Sequence, residues 1–250
     1  MYKHSKLLTA TIVFLCLHSA AQNKIPLINS GDLLKQGSKL HDDGKYKEAI
    51  ALYKQINRSD TNYNKAVYEI CYSLFLDSSF VESKKYAELG LRLFPDDATQ
   101  WYMQIANNED ELGHNDSALY YYEKVIALNK NDYITWFNRG VTYYRMNKLE
   151  EAKKNMQQCL LIYPYYASAH YYLGKIALDE GLPVQALLSF CFNLVISPDN
   201  RYTSKTIGYL SAIAEAKDDV VKKSNTSKKS KDANFEMVQE ILLSKASFDR

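Results

Sequence analysis

Charge of one sign is what this 250-residue chain lacks. Lysine and arginine number 31 against 29 aspartates and glutamates. Lys3 and Lys6 lie in an acid-free opening, residues 1–21, so residues 22–250 hold 29 basic and 29 acidic side chains. A nucleic-acid binder draws affinity from excess Lys and Arg over phosphates, and this balance argues against that class. Lys-rich stretches such as "GKYKEAIALYKQI" (44–56) then read as solvated helix faces. Long hydrophobic runs are also missing. The apolar run Leu7–Leu17 has 11 residues, well short of the roughly 20 that span a bilayer. With Lys3 and Lys6 before it and the small residues Ser19–Ala21 after it, it reads as an export signal cleaved near Ala21. The residue before Cys16 is Leu15, not a small one, which argues against lipidation. The expected product is periplasmic or cell-envelope associated, with no stable membrane insertion after cleavage.

Chemistry-bearing residues are scarce. After the signal only Cys71, Cys159 and Cys191 remain, an odd set with no CxxC or Cys/His spacing, so neither a disulfide framework nor a metal site is expected. His41, His114 and His170 are the histidines of the exported part. "NNEDELGHND" (107–116) gathers acids near His114, but it spans a helix break at Gly113 where polar residues belong. There is no glycine-rich phosphate loop, no HExxH and no nucleophile-plus-base motif, so no enzyme activity and no cofactor are expected.

What is present is a period. Small residues recur at Gly37, Cys71, Ala106, Gly140, Gly174 and Gly208, at spacings of 34, 35, 34, 34 and 34. Ala49, Ser83, Ala118, Ala152 and Ala186 repeat at 34, 35, 34 and 34, with the slip in the same place. Pro164 and Pro198 are again 34 apart. Trp136, Arg139, Gly140 and Tyr143 follow the i, i+3, i+4, i+7 stripe of a helix, and a second stripe starts at Ala152 after a break near Asn147. Each unit is therefore an antiparallel helix pair, with small residues where the two axes cross closely. Cys71 reads as a small buried filler. Cys159 and Cys191 differ by two residues in register, which points them apart.

This pattern resembles the tetratricopeptide repeat: "WFNRGVTY" (136–143) departs from its first-helix consensus at Arg139, and "HYYLGKIA" (170–177) keeps Leu173 and Gly174. The second-helix signature is carried by Ala49/Tyr53, Ala118/Tyr122, Ala152/Met156 and Ala186/Phe190, with Ser83/Ala87 the poorest match. The resemblance implies an all-α, right-handed superhelical solenoid. After a linker (22–29), five repeats are placed at 30–63, 64–97, 99–132, 133–166 and 167–200. The first helix of a sixth follows at 201–216, then a Lys/Ser-rich insert (217–233) bearing Lys222, Lys223, Lys228, Lys229 and Lys231. Residues 234–250 read as an amphipathic helix, with Asn234 as N-cap and Phe235, Val238, Ile241 and Leu242 on one stripe, placed to complete the sixth pair as a terminal cap.

The resemblance also implies protein binding in a groove lined by the first helices. The stripe left to face it carries Leu34, Ser38 and His41; Tyr68, Tyr72 and Phe75; Met103, Asn107 and Asp110; Phe137, Val141, Tyr144 and Arg145; and Tyr171, Lys175 and Leu178. Aromatic rings offer large area at small entropy cost, which suits an extended peptide or a helix. For any single ring the alternative is packing against the next repeat. Some family members hold a terminal carboxylate here with Lys, Asn and Arg. These places are mostly aromatic or apolar in this chain, so that activity is not carried over, and Lys175 and Arg145 are left as anchors for an acidic group. The expected function is a non-catalytic adaptor for a protein partner in a bacterial cell envelope. The alternatives are a self-associating structural solenoid, or the regulatory repeat domain of a larger envelope enzyme or assembly.

Overall fold

The computed structural model describes residues 29–215. The expected export signal, the expected linker up to residue 28, the Lys/Ser-rich insert and the segment 234–250 expected to be an amphipathic helix lie outside the described residues. The described part is all-α: α1 (Ser30–Asp42), α2 (Tyr46–Tyr53), α3 (Tyr63–Leu76), α4 (Phe80–Leu93), α5 (Ala98–Glu111), α6 (Asn115–Leu128), α7 (Tyr133–Arg145), α8 (Leu149–Ile162), α9 (Ala167–Asp179), α10 (Pro183–Ile196) and α11 (Thr203–Ala214). The first ten form five antiparallel pairs, each packed on the next, and α11 stands on α10.

Each pair turns on one residue in the left-handed region. Gly44, Ser78, Gly113, Asn147 and Gly181 have φ of +75°, +59°, +79°, +56° and +73°. They keep the same spacing as the small-residue series, because the turn and the helix crossing belong to one repeated geometry. The extra residue of the 35-residue step falls between Leu93 and Ala106, where Pro95–Asp97 form a 3-10 turn. In the segment 44–56, Ala49, Tyr53 and Ile56 are buried. Lys45, Lys47 and Lys54 are exposed.

Close crossing explains the small residues. A Cβ on Gly174 would come within 2.5 Å of the Phe190 ring, and one on Gly140 would meet Met156 Cε at 2.9 Å. Cys71, with no exposed surface, plays the same part on α3 against the Ser83 carbonyl. Alanine gains about 1 kcal/mol over glycine in an open helix. At Gly174 the fully buried ring cannot yield. Gly174→Ala is therefore expected to lower stability by about 1–3 kcal/mol in denaturant unfolding, as overpacking does.

His170 occupies the place of Trp136 and does the same work. Trp136 Nε1 donates to the Lys130 carbonyl at 2.9 Å, and His170 Nε2 donates to the Pro164 carbonyl at 2.9 Å. Each ring ties its first helix to the preceding link, six residues upstream.

Candidate partner-binding groove

First helices from successive pairs converge on a cavity of about 270 Å³. Its walls include Phe75 of α3, Asn107, Asp110 and Glu111 of α5, Phe137, Asn138, Val141 and Arg145 of α7, and Tyr172 of α9. Arg201, in the link before α11, completes the wall. Six residues of the expected stripe thus meet at one place: Phe75, Asn107, Asp110, Phe137, Val141 and Arg145. A second, more open hollow of about 410 Å³ contains Tyr68 and Met103 beside Asp96, Asp97, Gln100 and Asp132.

Not all of the stripe is available to a partner. Phe137 and Val141 are only 5% and 8% exposed, so they form the cavity floor. Tyr166 and Tyr172 cover the Phe137 ring edge-on, with centroids at 4.9 and 5.6 Å. Tyr171 is corrected from groove residue to core: Tyr202 stacks on it at 4.1 Å and leaves it 3% exposed. At the other end, Tyr72 is exposed and stacks on His41 at 5.1 Å, and Tyr68 accepts a hydrogen bond from Gln104 Nε2 at 3.3 Å. Tyr144 donates to Asp179 Oδ2 at 2.6 Å, and Lys175 Nζ lies 4.5 Å from the centre of its ring. Burial lowers the Lys175 pKa from the usual lysine value. The same ammonium faces the Tyr172 and Tyr171 rings at 5.4 and 5.9 Å, a cation held by π faces.

Polar groups of the groove hold each other. Asp110 accepts from Thr142 Oγ1 at 2.7 Å and from Arg145 at 2.6 Å, and Arg145 also reaches Glu111 at 3.1 Å. Burial raises the Asp110 pKa above the ordinary carboxylate value, against the pull of Thr142 and Arg145. Arg145 therefore ties α7 to α5 and is not a free anchor for a ligand. Asn107 Oδ1 accepts from Tyr122 Oη at 2.9 Å and Asn138 Nδ2 at 3.1 Å. Glu109, on the same acidic stretch, accepts from Lys84 at 2.9 Å and His114 at 2.7 Å. Burial would raise its pKa, but those two donors together hold it below the usual range. The acids near His114 thus serve as links between pairs. Among the described residues no three His, Cys, Asp or Glu side chains are grouped to hold a metal, and no helix is long and apolar enough to cross a membrane.

Asn138, Tyr172 and Arg201 were not on the expected stripe. Asn138 and Tyr172 each follow a stripe residue by one position, so a groove wider than a single stripe would have included them. Arg201 comes from a link and carries no helical signal at all.

This geometry is that of the tetratricopeptide repeat. Residues 133–166, comprising α7 and α8, match the family model described as "Tetratricopeptide repeat". The BBSome complex member BBS4 of Xenopus tropicalis is 32% identical over 97 residues, covering 39% of this chain and 19% of that protein. The chain spans a quarter or less of the curated relatives it matches. The crystal structure of a thermophilic tetratricopeptide-repeat protein from Thermus thermophilus aligns with TM-score 0.61 at 18% identity, over 73% of this chain and 98% of that one. The structure of YrrB, described as having an unusual peptide-binding site, aligns with TM-score 0.51 at 20% identity, over 70% and 90%. The described residues form an all-α solenoid of antiparallel helix pairs with the tetratricopeptide fold.

Proposed function

We propose that this protein is a non-catalytic interaction scaffold that holds an extended peptide or a helix of a partner protein in the groove of its first helices. The observation that carries this reading is the cavity shared by α3, α5, α7 and α9, with apolar rings on its floor and Asn138, Tyr172 and Arg201 at its wall. Such a mix, apolar area with a few placed polar groups, suits recognition of a chain segment. Lys3, Lys6 and the short apolar run after them support export to the cell envelope. N-terminal sequencing of the protein recovered from cells, beginning at Gln22, is the expected result for that part. For the groove, a photo-crosslinking residue at Tyr72 is expected to trap a partner in native envelope, and the same residue at exposed Leu161 on α8 is not. Trapping of the same proteins from both positions counts against the groove.

A second reading, self-association, has its own observation. On the outer side of α10, Leu188, Phe192 and Val195 are 41%, 55% and 80% exposed. One repeat earlier, α8 carries Lys154 and Gln158 in place of Leu188 and Phe192. Exposed apolar rows of this kind mark contact surfaces. Restoring the polar residues with Leu188→Lys and Phe192→Gln is expected to shift an oligomer to monomer in sedimentation velocity; a chain monomeric both before and after removes this reading.

A further inference from the structure

Among the described residues, helix α11 packs against the solenoid on one side only. Toward α10 it buries Tyr202 in the preceding link, Thr206 and Ile213. Thr206 Oγ1 donates to Asn193 Oδ1 at 3.0 Å, and the Tyr209 ring stacks on Phe190 at 5.0 Å. Its other face repeats the positions at which α7 and α9 receive their second helices: Ser204, Ile207, Gly208 and Ser211 stand where α9 has His170, Leu173, Gly174 and Ala177. On α9, Gly174 and Ala177 are buried. On α11 all four positions are exposed, Ile207 by 54%. A Cβ on Gly37, Gly140 or Gly174 would run into Tyr53, Met156 or Phe190 of the paired helix, whereas one on Gly208 would find nothing within 4 Å among the described residues.

We propose that residues 234–248 of this chain dock on that face as the second helix of a sixth pair, with Val238 and Leu242 seated over Ile207 and Gly208. The register supports this occupant. In α2, α6, α8 and α10 the small residue that meets the first helix is the fourth of its helix (Ala49, Ala118, Ala152, Ala186). The large residue is the eighth (Tyr53, Tyr122, Met156, Phe190). If Asn234 caps the segment, Phe235 is its first residue, so Val238 is the fourth and Leu242 the eighth. Phe235 and Ile241 extend the same apolar side.

Reach and concentration favour this chain over a second copy. Residues 215–233 separate α11 from Asn234. Fully extended they span up to roughly 60 Å, far more than the roughly 18 Å length of α11 along which the segment must return. A tethered segment acts at an effective concentration of about millimolar, which a free second copy does not reach. Docking gives the solenoid a polar outer end in Glu236, Gln239 and Glu240, as a terminal repeat requires.

Hydrogen exchange by mass spectrometry on the full chain tests this. Amides of 234–248 are expected to exchange at least about ten-fold slower than an open chain, at a rate independent of protein concentration. Gly208→Leu fills the open position, and because leucine is the better helix former it leaves α11 intact. This variant, and separately Leu242→Asp, is expected to return 234–248 to open-chain rates with α1–α10 unchanged. Open-chain exchange in the wild type overturns the proposal. So does protection that survives Gly208→Leu, and protection that grows with concentration assigns the face to a second copy.

Discussion

Replacing Trp101 by alanine is expected to destabilise the protein by about 3–5 kcal/mol, a large share of the 5–15 kcal/mol that holds a typical domain together. Trp101 has no exposed surface. It opens α5 and lies back across α4, where a Cβ on Gly90 would come within 2.5 Å of its ring. Phe94 and Tyr68 flank it with centroids at 6.5 and 6.0 Å. The contact between pairs is built on exchange of size. Where α3 follows α2, the large residue is Ile56 and the small one Ala66, both in one core cluster. Between α4 and α5 the roles are reversed, with glycine first and tryptophan second. Trp101→Ala leaves two small residues facing each other and a cavity that neither helix can close. Adding Gly90→Ile should restore the order found at Ile56 and Ala66 and recover part of the loss, a coupling measurable in a double-mutant cycle. Trp101→Phe should cost much less, because the indole Nε1–H is buried without an acceptor and its removal leaves nothing unpaired. A Trp101→Ala loss under about 1 kcal/mol in urea unfolding would contradict this account of the interface.

Alkaline pH is expected to unfold the protein steeply, from about pH 9 upward. Burial raises the pKa of Tyr53, Tyr68, Tyr122, Tyr144, Tyr166, Tyr171 and Tyr172 above the ordinary value of 10.0. The same cause pushes the Cys71 thiol up to about 11 and the Cys159 thiol to about 12, from 9.0. A group with its pKa raised by folding stabilises fully below its unfolded value and loses that contribution as pH rises toward the folded one. Unfolded chains release these protons first, so stability falls between about pH 9 and 12. Each group still protonated only in the fold contributes a slope of ~1.4 kcal/mol per pH unit. The four with the least exposure, Tyr53, Tyr122, Cys71 and Cys159, together give up to ~5 kcal/mol per unit above pH 10. The share of tyrosinate absorbance that comes from the buried rings, as distinct from exposed ones such as Tyr120 and Tyr165, should appear together with the loss of helicity. The full tyrosinate absorbance of the chain developing near the ordinary tyrosine pKa with helicity intact would mean that these rings are not buried.

The fold was legible because each helix pair repeats the same local demands. Gly174 against Phe190 and the left-handed turn at Gly181 both leave a mark at a fixed interval of the sequence. The contacts between pairs leave weaker marks. Trp101 lies outside the stripe that joins a pair, so its period does not reveal it, and its partner Gly90 is visible only in the structure. The groove was legible in part for the same reason. Stripe positions point to the first-helix side, and Phe75, Asn107, Asp110, Phe137, Val141 and Arg145 meet there. Whether a ring on that side is open or covered depends on residues from the next pair. Tyr202, arriving from a link, closes over Tyr171, and Tyr166 closes over Phe137. Arg145 looked like a free cation until Asp110 and Glu111, 35 and 34 residues earlier, were brought beside it.

The most direct test of the groove is the affinity of a trapped partner segment for two variants of the same folded protein. One carries Tyr72→Ala, Phe75→Ala and Arg201→Ala in the groove; the other carries Leu188→Lys and Phe192→Gln on the outer side of α10. Titration calorimetry beside circular dichroism is expected to show about 30-fold weaker binding, roughly 2 kcal/mol, for the groove variant alone, with both chains as helical as the wild type. Equal affinity in the groove variant, or a loss confined to the α10 variant, would contradict the groove and move the binding surface to the outside of the solenoid.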